Sequence, residues 1–159
     1  MCVHITTISF FGHRDIEDMI LADRCVYTFV CDMMETHEYL EFLVGRDGLF
    51  DQIVSSAIIR AKKQKQAENC NHIWVMPYDK SEYRKNQGNF EHYYDTIEIC
   101  EASCRAFPKA AIQIRNRVMV DRSDICVFYV QHSYGGAWET MQYAQQAGKT
   151  VVNLAENMQ

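Results

Sequence analysis

Hydrophobic positions along this chain follow two alternating patterns. Short strand-like runs, β-rich at 3–10 and largely apolar at 39–44, 72–76, 125–130 and 150–154, are separated by longer stretches whose apolar residues recur at helical spacing. The run Ile125-Cys126-Val127-Phe128-Tyr129-Val130 has no polar alternation, which suits a strand covered on both faces. Between the runs, Met19, Ile20, Cys25, Val26, Phe29, Val30 and Met33 form one stripe, predicting a helix over about 16–35, capped by Asp15 or the acids after it. Ile53, Ala57, Ile58 and Ala61 form a second over about 50–66, with a lysine-rich end that matches the helix dipole. Pro108 opens a third helix at a position suited to proline, and Ala137, Met141, Ala144 and Gly148 line one face of a fourth.

Strands alternating with helices predict an α/β fold of three layers, with helices on both sides of a mainly parallel sheet of about five strands. A small extra strand is expected at 97–100. The stretch 79–95 reads as a long polar and aromatic connection, with a short helix and a mobile loop. Glycines follow three of the strands, at Gly12, at Gly45 and Gly48, and at Gly135-Gly136. In a parallel sheet the carboxyl ends share one edge, so these turns should meet at a ligand cleft.

Length and composition narrow the picture. A chain of 159 residues, 48% hydrophobic with two prolines, is expected to form a single domain over 1–159. No apolar run approaches a membrane span, and the first residues lack the features of a signal peptide, so a cytoplasmic location is expected. Seven scattered cysteines fit free thiols in a reducing compartment. The pairs Cys70 with His72 and Cys100 with Cys104 lack a second half, so neither a metal nor a cofactor is expected.

Charge adds a further distinction. The net charge is −5, yet residues 105–122 carry five bases and one acid, whereas residues 15–51 carry ten acids and two bases. That contrast points to a pocket for a small anion and argues against nucleic acid as the main partner. Arg115 and Arg122 share a helix face with Ala111, Ile112, Val118 and Met119, so each should meet either an anionic ligand or an internal acid such as Asp121 or Asp124. Arg117 points the opposite way, toward solvent. His13 and Arg14 follow the first strand as phosphate contacts or as a solvated loop. Asp51 reads as an ordinary first-turn acid, with acceptance of a ligand hydroxyl as the alternative.

Gly12-His13-Arg14, Gly45-x-x-Gly48-x-Phe50-Asp51, the segment from Pro108 to Arg117, Met119-Val120-Asp121-Arg122-Ser123-Asp124 and Gly135-Gly136 together resemble the YpsA-type proteins of the SLOG superfamily. The similarity spans nearly the whole chain. That superfamily is Rossmann-like and includes DNA-processing proteins, nucleotide-ligand sensors and cytokinin-activating phosphoribohydrolases. The resemblance implies a cleft for a nucleotide or nucleotide derivative, with a phosphate near Gly135-Gly136. The expected ligand-binding set is Gly12, His13, Arg14, Gly45, Gly48, Asp51, Arg115, Asn116, Ser133, Gly135, Gly136 and Glu139. It also implies self-association, with a homodimer as the expected state.

In the hydrolase branch an arginine and a glutamate serve catalysis, which would place Arg115 and Glu139 in those roles here. Asn116 stands where that branch has a lysine, and the turn at Ser133-Tyr134-Gly135-Gly136 lacks its proline and third glycine. Glu139 lies two or three positions early and is also suited to capping the helix. The expected function is therefore binding or sensing of a nucleotide-type small molecule. Hydrolysis of an N-glycosidic bond is the alternative, and an interaction module with a vestigial pocket is a weaker third.

Overall fold

The computed structural model describes residues 2–157. Six strands form one sheet in the order β4-β3-β2-β1-β5-β6, and every neighbouring pair is parallel. The strands are β1 Ile5–Gly12, β2 Tyr39–Val44, β3 Cys70–Met76, β4 Thr96–Ile99, β5 Ile125–Tyr129 and β6 Thr150–Asn153. The helices are α1 Met19–Thr36, α2 Leu49–Lys65, α3 Ser81–Lys85, α4 Gln87–Tyr93, α5 Pro108–Arg122 and α6 Gly136–Gln146. The sheet thus has six strands where about five were expected, because the short 96–99 segment pairs fully with β3.

Period-two alternation divides the buried strand residues between two cores. Ile8, Phe10, Leu40, Phe42, Trp74, Val127 and Tyr129 pack on one face against α1 and α2. Phe11, Leu43, Ile73, Val75, Cys126 and Phe128 point to the other, against Met119 and Val120 of α5 and Met141 and Ala144 of α6. Strand β5 is apolar from end to end because both its faces are covered, while β1 also buries Thr6, Thr7 and Ser9 and β3 buries His72.

Local chemistry sets the helix boundaries. The Asp18 side chain accepts from the Leu21 N–H at 3.0 Å and caps α1. Pro108 begins α5, where its missing N–H costs nothing. Residues 79–95, expected to include a mobile loop, instead form α3 and α4 folded over the sheet by aromatic packing. Trp74 lies 5.1 Å from both Phe90 and Tyr94, and the Arg46 guanidinium sits 4.9 Å over the Phe90 ring. No helix among the described residues is long and apolar enough to cross a membrane.

Candidate functional site

Strand order creates the site. From β1 the chain runs through α1 to β2 on one side, while β5 flanks β1 on the other. The loops after β1 and β5 therefore diverge at a switch point, leaving a crevice at the carboxyl edge. A cavity of about 870 Å³ opens there. Gly12, His13 and Arg14 line it from the β1 loop, Gly45, Asp47 and Asp51 from the β2 loop and the start of α2, and Tyr78 from the end of β3. Helix α5 adds Lys109, Gln113, Arg115 and Asn116, and the β5 loop adds His132, Tyr134, Gly135 and Gly136.

Most of the residues expected at the cleft are thus brought together, but three are not. Gly48 is packed against the Arg14 backbone: a Cβ at Gly48 would lie 2.6 Å from the Arg14 Cα, so its small size serves the chain crossing. Ser133 and Glu139 are exposed and outside the cavity lining. Glu139 sits in the first turn of α6, its N–H bonded to the Gly135 carbonyl at 3.0 Å. Gly135 has φ +94°, a conformation that favours glycine, and this turn leaves the N-terminus of α6 open beside the cavity.

Arg115 is buried to 2% exposure, and its partner is neither Asp121 nor Asp124. Its Nη2 pairs with Asp47, its Nη1 donates to the Val75 carbonyl at 2.8 Å, and its Nε donates to Asn116 Oδ1 at 3.0 Å. Lys80 completes the cluster at 3.0 Å from Asp47. Arg122, the second arginine of that face, is bound to Glu98 at 3.1 Å. Arg117 is exposed, with its guanidinium 5.1 Å over the Tyr143 ring.

Asp51 is not an ordinary first-turn acid. It lies inside the cluster and accepts from the Asp47 N–H at 2.9 Å. Burial and then the neighbouring Asp47 charge push its carboxyl up to about 6, against the pull of that hydrogen bond and of Arg115. Burial acts on Asp47 in the same direction, but Arg115 and Lys80 outweigh it and hold that carboxyl below its ordinary range. Gly45 fits between these groups: a Cβ there would meet Asp47, Asp51 and Arg115 at 3.1, 3.2 and 3.3 Å. One carboxylate is thereby kept ionised and its neighbour is poised near neutrality. This separation of paired acids is common where protons are handled.

Lining residues that escaped the sequence reading include Asp47, Tyr78, His132, Tyr134, Gln113 and Lys109 as a rim cation. Asp47 had a signal, since it stands between Gly45 and Gly48. The aromatic residues Tyr78, His132 and Tyr134 had none. His132 stacks on His13 with centroids 3.7 Å apart and planes 15° apart, and Tyr134 stacks on His132 at 3.8 Å and 17°. Residues so distant in sequence are joined only by the pairing of β1 with β5.

Fold and cavity together define a Rossmann-like α/β protein with a ligand-sized cleft at the switch point. Neither a protein-family model nor a curated protein sequence matches the chain. Solved structures do match. DNA processing protein A from Helicobacter pylori, described for its unique single-stranded DNA binding mode, aligns with 92% of this chain and 63% of its own, with TM-score 0.65 and 14% identity. DNA processing protein A from Streptococcus pneumoniae aligns with 92% of this chain and 49% of its own, with TM-score 0.67 and 12% identity. The protein TM1055 aligns with 96% and 79%, with TM-score 0.61 and 12% identity.

This chain spans about half to two thirds of the two DNA processing proteins, and the likeness establishes a shared fold. It also corrects one expectation. The charge-based argument against nucleic acid does not hold, because this fold belongs to a protein that binds single-stranded DNA. Net charge averages over the whole surface, whereas binding responds to the local field at a cleft.

Proposed function

We propose that the cleft binds a nucleotide, either free or as one unit of a single strand, and that the chain is a SLOG protein of the YpsA type. The observation that carries this reading is a pair of exposed cations lining the cavity, Arg14 and Lys109. Neither side chain has a hydrogen-bond or ion-pair partner among the described residues, whereas Arg115 and Lys80 are committed to Asp47. Free cations beside the open Gly135-Gly136 turn suit a phosphoester. The motifs Gly12-His13-Arg14 and Phe50-Asp51 and the arginine helix support the subfamily assignment, and seven free thiols support a cytoplasmic setting.

Binding should raise the melting temperature, since a ligand of the native state stabilises it. AMP, NAD and a ten-residue oligodeoxyadenylate are suitable probes. The double substitution Arg14→Ala, Lys109→Ala should reduce affinity by about 1–3 kcal/mol without lowering the melting temperature of the free protein. Strand binding would weaken steeply with added salt, and AMP binding much less. Absence of a thermal shift with every probe would refute the proposal.

The second reading is N-glycosidic hydrolysis, and the carboxyl of Asp51 in the cavity favours it. There Asp51 replaces Glu139 as the acid–base group, because it lines the cleft and is poised near neutral pH. Release of free adenine from AMP, abolished by Asp51→Asn and retained in Glu139→Gln, would establish it.

A further inference from the structure

Beyond the ionic cluster, the cavity has an aromatic rim. His13, His132 and Tyr134 form a column of three nearly parallel rings, with successive centroids 3.7 and 3.8 Å apart. Two backbone contacts hold it in place. The Gln131 N–H donates to His13 Nε2 at 3.1 Å, so the neutral ring carries its proton on Nδ1. His132 Nδ1 lies 3.1 Å from the Tyr134 carbonyl, which only accepts, so that nitrogen is the protonated one. Burial, and then the neighbouring His132, lower the affinity of His13 for a second proton, which keeps its ring uncharged at neutral pH.

Internal packing does not account for this column. Tyr134 ends it and is 68% exposed, so most of a large planar ring is held in water, parallel to two others. Phe107, which is 87% exposed and outside the cavity lining, makes no ring stack among the described residues. A pre-ordered ring lowers the entropy cost of stacking a planar partner, because its rotamer is already fixed. Tyr134 also directly precedes the Gly135-Gly136 turn, so consecutive residues would meet the base and the phosphate of the same nucleotide.

We infer that the His13–His132–Tyr134 column is a base-stacking platform, with Tyr134 covering the heterocycle of the nucleotide whose phosphate occupies the cleft. This rests on the nucleotide reading above and adds the part of the ligand that the ionic residues leave unread. Stacking of this kind tolerates any base and takes a free nucleotide or a strand residue alike.

The test compares AMP, oligodeoxyadenylate and ribose 5-phosphate, which has the phosphate but no base, by calorimetry on wild type, Tyr134→Ala and Tyr134→Phe. Tyr134→Ala should weaken AMP about ten-fold or more and leave ribose 5-phosphate unchanged, while Tyr134→Phe should keep wild-type affinity for both. A parallel loss for the oligonucleotide alone would identify a strand as the ligand, and a loss for AMP would show that a free nucleotide suffices. Equal affinity in wild type and Tyr134→Ala for both AMP and the oligonucleotide would overturn the platform and leave the nucleotide reading standing. Equal losses for AMP and ribose 5-phosphate would also overturn it. If wild type binds none of the three, both fall together.

Discussion

Replacing Arg115 by methionine is expected to destabilise the protein by about 3–5 kcal/mol, the range for removing one partner of a buried ion pair. The guanidinium is 2% exposed and is engaged by Asp47, the Val75 carbonyl and Asn116. Methionine fills much of the volume but leaves the Asp47 carboxylate with Lys80 as its remaining cationic partner. It also leaves the Val75 carbonyl without this donor. Urea unfolding monitored by circular dichroism gives the measurement. Replacing Asp47 by leucine in the same background should recover part of the loss, since of the three charges only that of Lys80 then lacks its partner. A loss below about 1 kcal/mol in the single variant would mean that the pair is solvated and not a strut of the cleft. Arg115 is thus a poor reporter of ligand contact, because its removal disturbs the cavity floor whatever binds there.

Asp51→Asn should act in the opposite direction and depend on pH. Its folded carboxyl is raised from the ordinary 3.8 to about 6, so between those values the native state holds more protons than the unfolded chain. The unfavourable contribution of ionised Asp51 is therefore fully present above about pH 6 and is relieved as the pH falls toward 3.8. A raise of this size corresponds to at most about 3 kcal/mol, at about 1.4 kcal/mol per decade. Asparagine retains an oxygen to accept the Asp47 N–H and carries no charge. The variant should be more stable than wild type by about 1–3 kcal/mol at pH 8, with the advantage shrinking toward zero near pH 4. Thermal melts across that range decide it. A constant difference at all pH values would show that Asp51 titrates as an ordinary surface acid. A residue that weakens the fold in its ionised form while lining a cleft is the kind retained for chemistry or recognition.

Both effects come from the same arrangement around Gly45, and the sequence showed only part of it. The arginine-bearing face of α5 was visible because helical periodicity places Arg115 beside Ala111 and Met119. The requirement for an anionic partner also follows from the cost of burying a guanidinium. Its identity was not visible. Asp121 and Asp124 are near in sequence, but Tyr143 engages the first at 2.8 Å and the Thr7 N–H donates to the second at 2.8 Å. Asp47 reaches Arg115 because parallel pairing brings the β2 loop to the carboxyl edge over which α5 passes.

The architecture was determined by the sequence itself. Strand runs rich in apolar and β-branched residues, with β5 apolar from end to end, amphipathic helices between them and glycines at the strand ends leave little other than a parallel three-layer fold, since the pattern reports burial directly. The fourth strand carries little periodic signal because none of its four residues is buried, three being intermediate and Ile99 exposed. Tertiary structure alone decided which polar groups share the cavity. It excluded Glu139, whose place in the first turn of α6 turns it to solvent, and it raised Asp51 by enclosing it beside Asp47. It also stacked His13 on His132 across 119 positions, through the register of β1 on β5. Periodicity encodes which side of an element is buried. Distances between loops depend on strand order and register, which no local pattern contains.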